Sequence, residues 1–246
     1  MAANPIQIVP LHGEALAAPA QAPSLTYRGG PLLTAVQVFA LYWGASWQQP
    51  PQSALMQQLD QFFDYVVTSP LIDQLSEYSV QGMAIGHGTH IGSSIVADPA
   101  PAASVTDVDV QQFIQGQISS NPAIPQPTAN SLYFVFLPTG VSVGLGGGAS
   151  CVNFCGYHSD INNGQVYYAV MPYPDCSGCA GGLSVVDALT STSSHELCEA
   201  ITDPIPGQGF YDDANGEIGD ICAWRTKTVG GYTVQLEWSN SAGRCV

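Results

Sequence analysis

The chain has 246 residues (25.8 kDa), 46% of them apolar and only 9% charged, enough to bury a large core and unlike a repeat array or a disordered acidic tail. Four basic residues (Arg28, Arg225, Lys227, Arg244) face 19 acidic ones, for a formal charge of −15, so no basic patch can replace the counterions of nucleic acid or of an anionic membrane. The longest apolar runs, 32–43 and 132–137, fall short of the about 18–20 residues of a membrane span. Residues 1–30, with AAPAQAP and RGGP, lack an apolar period and read as an extended arm or propeptide remnant outside the core. LLTAVQVFALY (32–42) predicts a strand, and Ser53 a cap for a helix that repeats Leu55, Leu59, Phe62, Phe63 and Val66; Pro70 starts a short second helix. Strands are expected over 78–85 and 90–97, around GHGTH. Thr106 with Asp109 forms a capping-box pattern for a helix to about residue 118. SLYFVFLP reads as a buried strand, GLGGGAS as a mobile loop, and QVYYAVMPYP as an edge strand because of its prolines. The last long helix starts near Leu183, and YTVQLEW is a terminal strand. Strands and helices mix without regular alternation, which predicts an α+β (mixed α/β) fold. It would be one domain over 31–246, divided into a sheet and helix part (31–182) and a part with the chemically active helix (183–246).

Seven cysteines fall into the close pairs Cys151 with Cys155, Cys176 with Cys179, and Cys222 with Cys245, leaving Cys198 over. With so few charges, this spacing favours disulfides and secretion over a zinc knuckle. Few ion pairs also mean that stability depends little on ionised carboxylates, so acid should be tolerated. MAANPIQIVP has neither a basic nor an apolar leader region, so secretion is inferred indirectly.

Only six Glu occur in the chain, and Glu196, Glu199 and Glu217 cluster beside His195. In SSHELCEAITDP, His195 and Glu199 are four apart and share one helix face, a metal-ligand spacing. Val185, Val186, Leu189, Leu197 and Ile201 would hold the core while that face looks into a cleft. HExxE differs from the zinc-protease HExxH in its second ligand, and zinc accepts a carboxylate there; Glu196 would be the general base. Glu217 and Asp220 in YDDANGEIGDIC are candidate third ligands, while Asp212, Asp213 and Asn215 suit a structural calcium turn. Asp203 is expected to cap a turn before Pro204. His158, on a loop stiffened by a Cys151 to Cys155 bridge, is either a further ligand or an oxyanion donor. His87 and His90 read as structural, and His12 as inert unless the arm places it in the metal site. If 165–170 is the edge strand beside the cleft, Tyr168 and Val170 bind an extended peptide. No GxSxG or phosphate-binding glycine loop is present.

LYWGASW, FCGYHS, YYAVMPYP, CSGC, SHELCEAITDP and GEIGDIC together resemble the phosphate-induced protein 1 or EXORDIUM-like proteins of plants and their bacterial relatives, over residues 32–222. That resemblance implies a secreted, cell-wall-associated protein of a family without a settled catalytic activity. It carries over to His158, His195, Glu196, Glu199, Glu217 and Asp220; AGGL after CSGC and the short C-terminus depart from the pattern. The element order also looks like the zincin architecture, a twisted mixed sheet with an antiparallel edge strand packed against the active-site helix. The expectation is a monomeric, secreted, acid-tolerant zinc endopeptidase acting on protein or peptide. The alternative is a non-enzymatic secreted protein with a structural ion that binds wall polymer or a receptor.

Overall fold

Burial on both faces explains why QVFALYW, SLYFVF and VYYAVM are apolar throughout: they are the central strands of a mixed sheet covered by helices on each side. The computed structural model describes residues 8–12 and 22–246. In chain order the elements are β1 (Ile8–Pro10), β2 (Thr26–Tyr27), β3 (Gln37–Trp43), α1 (Gln52–Val66), α2 (Pro70–Asp73), β4 (Thr89–Val96), β5 (Ser104–Thr106), α3 (Asp107–Ser120), β6 (Ser131–Phe136), β7 (Ser142–Leu145), β8 (Gly148–Ala149), β9 (Phe154–Ile161) and β10 (Val166–Met171). There follow α4 (Ser177–Ala180), α5 (Val185–Thr202), β11 (Phe210–Tyr211), β12 (Thr226–Val229), β13 (Tyr232–Gln235), β14 (Trp238–Ser239) and β15 (Arg244–Cys245). The main sheet has the order β1-β9-β10-β6-β3-β4; β10, β6, β3 and β4 run parallel, and β9 and β1 close one side antiparallel. The chain is mixed α+β, as its element pattern predicts.

Side chains alternate along the strands and so sort into two cores. Val38, Ala40, Phe134, Ala169 and Met171 meet α1 and α5, whereas Phe39, Leu41, Tyr133, Tyr168 and Val170 meet α3. The predicted apolar stripe of α1 is buried, although Pro51 rather than Ser53 precedes the helix; Ser69 caps α2, and Thr106 and Asp109 form the capping box of α3. Among the described residues, no helix is long and apolar enough to cross a membrane.

Several expectations are corrected. QVYYAVM lies inside the sheet, paired with β6 and β9, so Tyr168 and Val170 do not sit on an edge; they face α3, away from α5. FCGYHSDI is a strand rather than a loop. The segment 78–85 holds only an isolated bridge between Val80 and Met83, and GLGGGAS is the β7 and β8 hairpin turning at Gly146 and Gly147, both with positive φ. The expected arm contributes β1, with Val9 fully buried, and β2, which pairs with β11; residues 1–7 and 13–21 of it lie outside the described residues. The disulfides are Cys151–Cys176, Cys155–Cys179 and Cys222–Cys245, with Cys198 free and buried. The second bridge therefore joins β9 to α4, and the first links the turn before β9 to the residue capping α4, instead of either closing locally.

Candidate metal centre

α5 begins at Ser184, whose hydroxyl accepts from the Asp187 N–H, and is buried on every side from Ala188 to Thr202. The small side chains of the TSTSS stretch admit a neighbouring strand, and Thr190 and Ser194 bond backbone carbonyls, while Ser191 Oγ and Ser193 Oγ are buried without a partner. Ser194 donates to the Ser191 carbonyl, Thr190 to the Thr233 carbonyl, and the Gln235 N–H donates to Ser194 Oγ, which seats β13 on the helix. His195, Glu196 and Glu199 consequently face protein, and no open cleft forms around them.

The GEIGD turn approaches from one side. The Asp220 N–H donates to Glu199 Oε1 (3.1 Å), and the Glu217 N–H donates to Asp220 Oδ2 (3.0 Å). A Cβ on Gly219 would lie 2.8 Å from His195 Cγ and Nδ1, so this approach requires glycine. From the other side comes β9. Gly156 and His158 point from it toward α5, and a Cβ on Gly156 would meet Thr192 at 2.7 Å. His158 Nδ1 lies 3.0 Å from Glu196 Oε2 and 3.5 Å from Glu199 Oε2, while Nε2 lies 3.1 Å from the Asp203 carbonyl and 3.7 Å from Glu217 Oε1.

Five of the six candidate residues, His158, His195, Glu196, Glu199 and Glu217, are fully buried, and the sixth, Asp220, has a side chain only 13% exposed. They form two groups of potential ligands that share Glu199: His195 with Glu199 and Asp220, and His158 with Glu199 and Glu217. His195 Nε2 has no hydrogen-bond partner although Glu199 Oε1 is 2.9 Å away, so ring and carboxylate are close but out of line for donation. Two ligands converging on one ion are placed in this way. Glu196 Oε1, Glu199 Oε2 and both oxygens of Glu217 also lack a donor.

Burial and mutual repulsion shape the titration of the cluster. Burial, then Glu199, raises Asp220 to about 8, and burial reinforced by Glu199, Asp203 and Asp220 raises Glu217 well above the carboxylate range. Burial would raise Glu199 as well, but His195 and His158 outweigh it and hold it at about 2. Burial would lower His158, yet hydrogen bonds with Glu196 and Glu199 raise it to about 10.

Two further groups escaped sequence reasoning. Gln235 Oε1 accepts from the Trp224 N–H (3.0 Å), and Nε2 donates to the Gly219 carbonyl (2.9 Å) while lying 2.8 Å from His195 Nδ1. In this orientation the amide opposes a proton on Nδ1, and cation ligation through Nε2 calls for the amide oxygen to turn to the ring. Glu237 is fully buried with neither oxygen partnered. Its only signal in the sequence is an acid at the end of an apolar strand.

The remaining candidates have other duties. Asp203 accepts from the Gly207, Gln208 and Gly209 N–H groups, as a turn cap does. Asp212 accepts from Ser24, Ala214 and Asn215, and Asp213 pairs with Arg28, so the expected calcium turn is held by protein donors. His87 and His90 pair with Asp73 and Asp64. His12 stacks on Trp224 at 3.4 Å rather than entering the cluster. Tyr168 Oη donates to Asp107 on the α3 side. No protein-family model matches the sequence, and a search of curated proteins returns no match.

Proposed function

We propose that this protein is a secreted, acid-tolerant zinc-dependent endopeptidase in which His195, Glu199 and Asp220 hold the ion and Glu196 is the general base. The observation that carries the reading is the set of buried oxygens without a donor beside an unpartnered His195 Nε2. Among the described residues no Lys or Arg pairs with this cluster. Leaving several carboxylates buried and uncompensated is costly, and a divalent cation with imidazole and carboxylate ligands removes the cost. When bound, zinc supplies the Lewis acidity that brings the pKa of a water to about 7. Glu196 Oε1, free of donors, is placed to take a proton, and His158 orients that carboxylate through the other oxygen.

A peptide substrate is supported by the outer edge of β9, which already carries an extended chain. Val9 of β1 lies opposite Gly156, whose Cα side faces Glu196, so an extended substrate added at this edge would pass the base. Three disulfides suit an oxidising compartment. Complete burial of the cluster favours a second reading, a structural ion in a non-enzymatic secreted protein. Elemental analysis and casein digestion separate the two. The expected result is zinc that chelator removes together with cleavage, and a Glu196→Gln variant that keeps ion and fold while turnover falls by about 10²- to 10⁴-fold. Full turnover in that variant, or cleavage indifferent to chelation, would refute the mechanism; a retained ion without any cleavage would establish the structural role.

A further inference from the structure

We infer that the centre takes two divalent cations bridged by Glu199, the second held by His158, Glu199 and Glu217. The inference deepens the metal-dependent reading and rests on it. Glu199 turns its two oxygens in different directions: Oε1 lies 2.9 Å from His195 Nε2, and Oε2 lies 3.5 Å from His158 Nδ1. One ring nitrogen of His158 and one oxygen each of Glu199 and Glu217 lie within 4.8 Å of one another, and the same holds for His195, Glu199 and Asp220. A carboxylate between two such triads is the geometry of paired ions about 3.5–4 Å apart.

Independent observations mark the second triad as a ligand site rather than a buried acidic cluster. Glu199 Oε2 and both Glu217 oxygens are without a donor, in side chains with no solvent exposure. His158 Nε2 donates to the Asp203 carbonyl, so Nδ1, 3.0 Å from Glu196 Oε2 and 3.5 Å from Glu199 Oε2, is the nitrogen left to face a cation, which would take the place of the Nδ1 proton that bonds Glu196 in the one-ion state. Asp203 is satisfied by three backbone N–H groups, so the carboxyl groups left to face the ions are Glu196, Glu199, Glu217 and Asp220. One imidazole and carboxylate oxygens at each position suit Zn²⁺ or Mn²⁺.

The test uses the full chain, stripped with chelator, reloaded with Zn²⁺ or Mn²⁺ and dialysed. Elemental analysis should find two ions per chain, and the Mn²⁺ form should give a spin-coupled paramagnetic resonance spectrum. Glu217→Gln should retain one ion and lose the coupling; Asp220→Asn should retain the other; Glu199→Gln should abolish the coupling. Circular dichroism identifies any variant that fails to fold, and the wild-type stoichiometry and spectrum stand without the variants. A single ion per chain overturns the second site and leaves the one-ion peptidase intact. No bound ion overturns both, and two uncoupled ions that survive Glu217→Gln place the second cation elsewhere.

Discussion

His195 is held less by its helix than by what approaches it. Gly219 lets the turn backbone lie against the imidazole, and Gln235 faces Nδ1 from β13. If Nε2 ligates a cation, an acceptor beside Nδ1 strengthens the bond and a donor weakens it. Gln235→Glu should therefore tighten zinc binding by about tenfold, the lower end of what outer partners of metal ligands contribute. Zinc titration against a competing chelator measures this, and unchanged affinity would mean that His195 does not bind through Nε2. His195, Glu196 and Glu199 were legible because i,i+4 spacing is a local property of a helix. Gln235 was not legible: it reaches His195 from 40 residues away, and nothing within YTVQ signals that partner.

At the scale of elements, the site depends on β9 carrying His158 and on the strand added outside it. β1 pairs antiparallel with β9 from Ile8 to Pro10, the Pro10 carbonyl accepts from the Trp224 indole N–H, and the His12 N–H donates to the Gly178 carbonyl. If β9 is the edge that an extended substrate uses, the chain's own N-terminal segment occupies it. Deleting residues 1–12 should raise casein cleavage several-fold while lowering the melting temperature, since loss of the fully buried Val9 alone costs about 1.5–3 kcal/mol. Slower or unchanged cleavage by a folded deletion variant would reject β9 as the substrate edge. The helices were readable from periodicity and caps, as α3 shows with Thr106 and Asp109. β9 was not, because Cys155 and Gly156 hide the strand pattern, and Cys155 bonds to Cys179 across to α4 rather than to Cys151.

Over the whole molecule, the buried acids make stability depend on pH and on cations. Asp220, raised by burial and Glu199 from 3.8 to about 8, binds its proton more tightly in the folded state, so its charging destabilises the fold as pH rises across that interval. His158 is raised from 6.5 to about 10 by Glu196 and Glu199 despite burial; its stabilisation is complete below 6.5 and is lost as pH rises toward 10. Glu199, lowered from 4.5 to about 2, acts oppositely, and its stabilisation is lost as pH falls from 4.5 toward 2. Chelator-treated protein should therefore melt highest near pH 5, with a lower melting temperature at pH 8 that added zinc restores. A melting temperature that climbs steadily from pH 5 to 9 without zinc would contradict this account.

The sequence by itself determined the mixed α+β class, the amphipathic α1, the capped α3 and the helix that carries HExxE. Each depends on spacing or composition within a short stretch. Only the tertiary structure decided that Glu217 joins His158 while Asp220 joins His195, that Tyr168 and Val170 face away from α5, and that residues 8–10 close the sheet beside His158. Strand order and register bring together residues far apart in the chain, and one step along a strand reverses the face on which a side chain is buried.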